Sequence, residues 1–235
     1  MTTFHVTDDI FAAFPDVVLG IVIARGIDNS GEDGEVVAQL RREEERVRRE
    51  LAGIQVSEHP HVAPWREAYR TFGAKPKDYP SSIENLIRRV LKGHTLRHIN
   101  TLVDLYNTIS LRYLIPVGGE DLDISEGDLL LTRAGSDEPP VLLLGEPEPR
   151  SPRPGEVIYK DDRGAICRRW NWKEADRTKL TPATRRAFLA VEGLPPVGRD
   201  VVDQAAQELA GLIRTHCGGE VRTELIDRNR PGISF

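Results

Sequence analysis

The order of apolar and polar positions divides the chain into helical and extended segments. Residues 17–26, "VVLGIVIARG", form a nearly continuous run of apolar and β-branched side chains, which predicts a buried strand. From about Glu35 to Leu51, apolar side chains recur at helical spacing. The mixed charges of "RREEERVRRE" supply i,i+4 pairs on the exposed faces of this helix. The charged run therefore predicts a solvated helix and nothing more.

Three further segments before residue 123 have helix and turn signals. Residues 63–73 predict a short helix that ends at a glycine. In "SSIENLIRRVLKG", Ser81 and Glu84 match a capping box, and Gly93 fits the left-handed position after the helix. Residues 101–114 predict another helix, and the Pro/Gly-rich residues 115–123, "IPVGGEDLD", predict a turn.

Beyond residue 123 the pattern changes to short strands. Strands are predicted at residues 128–135, 140–145, 156–161 and 165–172, with "DDRG" closing a hairpin between the last two. A strand at 187–197, a helix at 199–219 and a strand at 220–227 complete the chain. Because helices and strands are segregated along the chain, the pattern predicts the α+β class and one domain over residues 1–235.

Composition narrows the class of protein. The 235 residues are 39% hydrophobic and 29% charged, as in ordinary globular proteins, and no apolar run approaches the ~18 residues of a membrane helix. The N-terminal segment lacks the pattern of a secretory signal, and two cysteines are too few for a disulfide framework, so a cytoplasmic protein is expected. The "HPH" at 59–61 has no third ligand nearby, and nucleotide-binding and nucleophile-elbow motifs are absent. We therefore expect no metal and no cofactor.

The net charge of −5 conceals an uneven distribution. Residues 63–113 and residues 160–186 each carry nine Lys/Arg against four Asp/Glu. Two basic islands on an acidic protein suit the docking of a polyanion such as RNA. Ordinary solvated helix faces explain the charges equally well.

Two segments have side chains that suggest a ligand. In the helix 101–114, Asn107 and Ser110 interrupt an apolar stripe. A buried amide without a partner costs ~1–3 kcal/mol, so Asn107 requires an internal partner, the more common case, or a ligand. In "RRWNWKEAD", alternation places Arg168, Trp170 and Trp172 on one face, with Arg169 and Asn171 on the other. This predicts a stacking platform beside a phosphate-binding guanidinium; the alternative is a core tryptophan beside a snorkelling arginine.

The segments "SSIENLIRRVLKG", "INTLVDLYNTISLRYLIPVGGEDLD", "GDLLLTRAG" and "AICRRWNWKEAD" resemble the B3/B4 domain of the phenylalanyl-tRNA synthetase beta subunit, and more closely the freestanding proteins built from that domain alone. The resemblance is most specific in residues 79–123 and 165–178. It implies an α+β fold with mixed β-sheets and helices around a central cavity. In the synthetase, this domain edits by hydrolysing the ester of a wrongly attached amino acid, notably tyrosine, on the tRNA.

The resemblance also assigns site residues. The pocket asparagine of the family falls on Asn107, and the glutamate that recognises the extra hydroxyl of the wrong amino acid falls on Glu174. A histidine of the synthetase domain falls on Gly118, which is a departure that changes either the substrate or the positioning of water. Asn107 and the backbone near Gly118 would polarise the ester or hold the water, and Glu174 would contact the amino acid.

The same comparison gives the expected function and partner. We expect a trans-acting deacylase of mischarged aminoacyl-tRNA that binds the aminoacylated acceptor end of a tRNA. The remaining predicted contacts are with the substrate pocket, at Ser110, Trp170 and Asn171, and with the tRNA, at Arg66, Arg70, Lys92 and Arg168. A monomer is compatible with the sequence. Two alternatives remain: a non-catalytic tRNA- or RNA-binding module, which the missing histidine favours, and a small-molecule binder or hydrolase that uses the same cavity.

Overall fold

The computed structural model describes residues 2–235, which form six α-helices, ten strands and a short 3-10 helix at Val56–Glu58. The helices are α1 (Asp8–Ala13), α2 (Gly34–Glu50), α3 (Ala63–Thr71), α4 (Ser82–Leu91), α5 (Thr101–Tyr113) and α6 (Arg199–His216). The strands are β1 (Thr3–Val6), β2 (Val18–Arg25), β3 (Val117–Asp121), β4 (Leu129–Arg133), β5 (Val157–Asp161), β6 (Gly164–Arg168), β7 (Lys173–Glu174), β8 (Arg186–Gly193), β9 (Glu220–Ile226) and β10 (Gly232–Ser234). The predicted α+β class is confirmed.

The strands form two sheets. The larger sheet has the order β10-β1-β4-β5-β6-β7, and its only parallel pair among the described strands is β1 with β4. The smaller sheet has the order β3-β8-β2-β9 and is antiparallel throughout. Both sheets combine strands that are distant in sequence, so each complete sheet contains residues from both halves of the chain.

The smaller sheet is buried on both faces, which explains the continuous apolar run of β2. Alternate residues of this strand, including Ile21 and Ile23, face the core between the two sheets. The intervening residues, including Val22 and Ala24, face a second core under α5 and α6. Gly20 permits the close approach of α6, because a Cβ at this position would lie 2.8 Å from the Cβ of Ala206.

Helices α2, α4 and α5 form a separate layer with its own apolar core. The predicted cap of α4 is present: the Ser81 hydroxyl accepts a hydrogen bond of 3.4 Å from the backbone N–H of Glu84. Gly93 follows the helix with a φ of +83°, the left-handed conformation expected of it. This layer holds α4 and α5 side by side at one end of the two sheets.

Three local predictions are wrong. Residues 140–145 do not form a strand; Val141 and Leu143 make only isolated bridges. The predicted turn at 115–123 contains β3, because its two glycines pair with β8 as a sheet edge. The strand predicted at 165–172 ends at Arg168, where the next two residues adopt φ values of +48° and +65° and reverse the chain.

Candidate functional site

A cavity of about 370 Å³ opens between the two sheets, helix α4 and the N-terminal half of α5. Strands β3 and β8 form one wall, β5 to β7 form the opposite wall, and α5 contributes Val103, Tyr106 and Asn107. The central cavity that the resemblance implies is therefore present, and it lies between the helix 101–114 and the segment 165–172. Its walls carry both aromatic rings and carboxylates, a combination that suits a small ligand with an apolar and a polar part.

Two small residues create the space on the wall formed by β3 and β8. Gly118 pairs directly with Ala190, and both line the cavity. Their neighbours on the same face of the sheet are Glu120, Phe188 and Glu192, because side chains alternate along a strand. Between these larger side chains, the glycine and the alanine leave the wall concave.

Glu174, at the end of β7, projects toward this concave part of the wall. Its Oε1 accepts a hydrogen bond of 3.3 Å from the backbone N–H of Gly119. This N–H is on the free edge of β3, as is the N–H of Asp121, which bonds to the Thr178 carbonyl at 2.8 Å. Burial raises the pKa of Glu174 to about 7, although the bond from Gly119 opposes the shift. The predicted glutamate is therefore a carboxyl that titrates near neutral pH.

Glu120 is a second carboxyl in the cavity wall, and it is 4% exposed. Its Oε2 is buried and has no hydrogen-bond partner among residues 2–235. Burial, followed by the negative charge of Glu174, raises its pKa well above the usual range for a glutamate. A buried carboxyl oxygen without a partner is costly, so this atom is a candidate contact for a ligand.

Glu192 is the third carboxyl, only 2% exposed, at the deep side of the cavity. Its Oε1 accepts hydrogen bonds from the Tyr159 hydroxyl and from Nε1 of Trp170, the latter at 3.0 Å. Its Oε2 accepts one from Nδ2 of Asn171. All three donors are neutral, so burial dominates and raises the pKa of Glu192 to about 7.

Asn107 is half-buried and lines the cavity from α5. Its side-chain amide makes no hydrogen bond with any of the described residues. Of the two possibilities for this amide, an internal partner is therefore not seen among the described residues. The amide is available to a ligand.

The structure corrects the predicted role of Arg168. Its guanidinium is buried and donates two hydrogen bonds of 2.8 Å to the carboxylate of Glu156, so it does not reach the cavity. Burial raises the pKa of Glu156. The hydrogen bonds from Arg168 and the positive charges of Arg169 and Arg168 together outweigh burial and hold this pKa below its usual value. Arg168 therefore belongs to an internal ion pair, which is incompatible with phosphate binding.

The alternation of side chains along a strand predicts that Arg169 lies on the face opposite Arg168 and Trp172. Its guanidinium carbon lies 3.7 Å from the ring centroid of Tyr79 and 4.6 Å from that of Trp172. The left-handed backbone at Arg169 and Trp170 breaks the period of two, so these side chains are rearranged. A cation stacked on aromatic rings is therefore present next to the cavity wall. It is Arg169 and not the predicted Arg168, and it is buried.

The three predicted pocket residues have different environments. Trp170 is fully buried and lines the cavity, with its ring packed edge-on against Phe14 and Trp65. Asn171 also lines the cavity, and its Oδ1 accepts a hydrogen bond of 2.8 Å from the Tyr69 hydroxyl. Ser110 does not line it: its hydroxyl donates to the Ile115 carbonyl at 2.6 Å and closes the end of α5. The pocket prediction for Ser110 is wrong.

None of the four cations predicted to bind tRNA lines the cavity. Besides Arg168, Arg66 forms an ion pair of 2.6 Å with the buried Glu84, and the exposed Arg70 pairs with Glu67. Lys92 is exposed beyond the end of α4. The two exposed cations that do line the cavity are Arg89 and Arg97, and neither forms an ion pair with a described residue.

Sequence reasoning missed Arg89, Arg97, Glu120 and Glu192. A signal existed for Arg89, because the cavity-lining residues of α4 recur at helical spacing: Ser82, Asn85, Leu86 and Arg89. A weaker signal existed for Glu192, a lone charge inside the apolar strand "AFLAVEG". Glu120 could not be recognised while its segment was treated as a turn.

Two further kinds of chemistry concern the site: that of a reactive thiol and that of a metal ion. Cys167 lines the cavity, but burial and then the charge of Glu174 raise its pKa well above the usual range, so its thiol is protonated at neutral pH. Within residues 2–235, no group of three or more His, Cys, Asp or Glu side chains has an arrangement that could hold a metal ion. No helix in the same range is long and apolar enough to cross a bilayer.

Comparisons with known proteins extend these observations. The family model described as the B3/4 domain matches residues 64–218, well over half of the chain. A comparison with curated protein sequences finds no match. Among solved structures, the chain is similar to an N-terminal fragment of the phenylalanyl-tRNA synthetase beta-subunit from Pyrococcus horikoshii, with a TM-score of 0.48 and 14% sequence identity. The match covers 94% of this chain and 50% of that fragment, so the chain spans about half of the fragment's length.

Proposed function

The chain belongs to the B3/4 domain family, and we propose that it hydrolyses the ester bond of mischarged aminoacyl-tRNA in trans. The observation that carries this proposal is the arrangement around Glu174. A carboxyl with a pKa of about 7 accepts a hydrogen bond from a strand-edge N–H, in a cavity that also exposes the amide of Asn107. These are the groups that ester hydrolysis by water requires: a base and a donor for the developing negative charge.

In the proposed reaction, Glu174 takes a proton from a water molecule as the water oxygen attacks the ester carbonyl carbon. The negative charge that develops on the carbonyl oxygen is stabilised by the amide of Asn107, while the N–H of Gly119 holds the Glu174 carboxyl in place. The bond to the ribose oxygen then breaks, and Glu174 returns the proton to that oxygen. The products are the free amino acid and a tRNA with an intact 3′ terminus.

A base with a pKa near the operating pH is well suited to this exchange of one proton. The reaction needs no covalent nucleophile, because an aminoacyl ester is already activated. That agrees with the protonated state of the Cys167 thiol. Gly118, where the synthetase domain has a histidine, contributes by its small size: without a Cβ, it leaves room for the Glu174 carboxyl.

The cations at the cavity mouth support a polyanionic partner. Arg89 and Arg97 are exposed and unpaired among the described residues, so they are available to the phosphates next to the terminal adenosine. Lys92 and Arg70 lie on exposed surface within the same basic island of the sequence and would extend this contact along the tRNA. Such a substrate implies that the protein acts in the cytoplasm, where tRNAs are charged.

The test is incubation with a panel of tRNAs, each charged with a labelled correct or incorrect amino acid, and measurement of the amino acid released. We expect at least one mischarged tRNA to lose its amino acid much faster than in buffer, and the Asn107→Ala/Glu174→Gln double variant to lose this activity. If no member of the panel is hydrolysed faster than in buffer, the proposal is wrong. tRNA binding that weakens steeply with salt but brings no release would instead identify a non-catalytic tRNA-binding module.

A further inference from the structure

Three carboxylates line the cavity, and none of them forms an ion pair with a described residue. Glu120 and Glu174 lie together at one end, around β3 and β7, and Glu192 lies on β8. The cations among the lining residues are elsewhere: Arg89 and Arg97 are exposed, and Lys173 pairs with Glu146. The interior of the cavity therefore has three carboxyl groups, and no cation of the described residues is paired with any of them.

The two acidic ends are separated along the sheet. Glu120 pairs with Phe188, and Glu192 is four residues further along β8. At about 3.3 Å per residue, their backbones are roughly 13 Å apart. With their backbones at that separation and their side chains on the same face of the sheet, the two glutamates can hold two ammonium groups that are joined by a short aliphatic chain.

The partners of Glu192 indicate what kind of group it lacks. Its oxygens already accept three hydrogen bonds from neutral donors, so its hydrogen-bonding capacity is largely used, and no cation of the described residues pairs with it. A hydroxyl would only add a fourth neutral donor. A cation would stabilise the ionised form of this carboxyl, in a buried place where such an interaction is strong.

The walls between the two ends suit the rest of such a ligand. The rings that line the cavity belong to Tyr106, Tyr159, Trp170, Trp172 and Phe188. Aromatic faces bind methylene groups by apolar contact and also attract cations.

We propose that the aminoacyl group accepted by this cavity has a side chain that ends in a cation, as in amino acids of the lysine type. This rests on the deacylase function proposed above. The α-ammonium group lies against Glu120 beside the ester, and the terminal cation of the side chain lies against Glu192. The unpartnered Oε2 of Glu120 then gains the donor that the protein itself does not provide.

The experiment measures the binding of amino-acid amides, which carry no tRNA. L-lysinamide is compared by calorimetry at neutral pH with L-norleucinamide, which has the same aliphatic chain without the terminal ammonium, and with L-tyrosinamide. We expect L-lysinamide to bind at least ~10-fold more tightly than either, because a charge-assisted hydrogen bond to a buried carboxylate is among the stronger polar contacts. In Glu192→Gln this preference over L-norleucinamide should fall to about twofold.

Glu148→Gln is the matched control, since Glu148 is exposed and outside the cavity, and it should keep the full preference. Retained binding of L-norleucinamide by Glu192→Gln shows that the cavity is intact in that variant. Equal binding of L-lysinamide and L-norleucinamide by the unmodified protein would overturn the inference, as would tighter binding of L-tyrosinamide.

The two proposals fail separately. Hydrolysis of a mischarged tRNA without a preference for L-lysinamide contradicts the substrate class and leaves the deacylase intact. A preference for L-lysinamide without hydrolysis of any aminoacyl-tRNA, including tRNA charged with lysine, supports the cation-binding cavity and contradicts the deacylase.

Discussion

A Cβ atom at Gly118 would lie 3.0 Å from Oε1 of Glu174, closer than a side chain and a carboxylate oxygen normally approach. The same oxygen accepts the hydrogen bond from the N–H of Gly119. The missing side chain at Gly118 therefore allows Glu174 to reach the edge of β3. The residue that departs from the synthetase pattern is thus part of the arrangement that positions the carboxyl.

Gly118→Ala should displace Glu174 by a few tenths of an ångström and weaken its contact with Gly119. We expect the rate of deacylation to fall about tenfold or more, because small displacements of a base are costly, with little change in the melting temperature. The control is Gly211→Ala in α6, where an added Cβ meets nothing within 4 Å. It should stabilise the fold by about 0.5–1 kcal/mol and leave the rate unchanged. An unaltered rate in Gly118→Ala would contradict the positioning role.

Asn107→Ala and Glu174→Gln should each lower the single-turnover rate of deacylation by roughly 10²-fold, since one donor or base contributes about 2–4 kcal/mol. tRNA affinity, measured by filter binding, should change little. Ser110→Ala is the contrast on the same helix as Asn107: it removes the bond to the Ile115 carbonyl, so it should cost about 1 kcal/mol of stability without affecting the rate. A variant of Asn107 with full activity would remove the amide from the mechanism.

The rate should also depend on pH in the way that Glu174 predicts. With a pKa of about 7, the carboxyl is protonated at lower pH and cannot accept a proton from water. After subtraction of the hydrolysis in buffer, the rate should rise about tenfold per pH unit below pH 7 and level off above it. In Glu174→Gln, the inflection should disappear together with most of the activity. An inflection that survives this substitution belongs to another group.

Glu192→Gln should change how stability depends on pH. Burial raises the pKa of Glu192 in the folded protein from 4.5 to about 7, so the folded state keeps a proton that the unfolded chain has already lost in this range. The stability contributed by this proton is complete below pH 4.5, falls as the pH rises toward 7, and is lost above that. The total is on the order of 3 kcal/mol.

Chemical denaturation of both proteins at pH 5 and pH 8 isolates this effect. Between pH 5 and pH 8, the variant should lose less stability than the unmodified protein. A hydrogen bond broken by the substitution would instead lower the free energy of unfolding of the variant by the same amount at both pH values. Equal losses would show that Glu192 is ionised throughout. Glu148→Gln, at an exposed position, should behave like the unmodified protein.

Arg168→Met and Arg97→Met should separate a structural cation from a ligand-binding one. Arg168→Met leaves Glu156 buried without its main partner, which should cost about 3–5 kcal/mol of stability. Arg97→Met should alter the melting temperature little, weaken tRNA binding, and reduce the slope of log affinity against log salt by about one. If Arg97→Met binds tRNA with unchanged affinity and salt dependence, the cavity mouth is not the docking site.

The sequence by itself determined the features that depend on neighbouring residues. The cap at Ser81, the left-handed Gly93, the buried strand β2 and the hairpin between β5 and β6 all follow from residue types at short spacing. Asn107 and Glu174 were predicted as site residues from the resemblance of the surrounding segments to the family, and both line the cavity.

Only the tertiary structure decided what surrounds those two residues. Strand β3 became visible as a strand only through its pairing with β8, almost 70 residues away, and this pairing brings Glu120 to the cavity. Likewise, the reversal of the chain at Arg169 removes Arg168 from the surface and pairs it with Glu156. Local sequence governs backbone propensity over a few residues, whereas the burial and charge of a cavity depend on which distant segments meet, and that is settled by the packing of the whole chain.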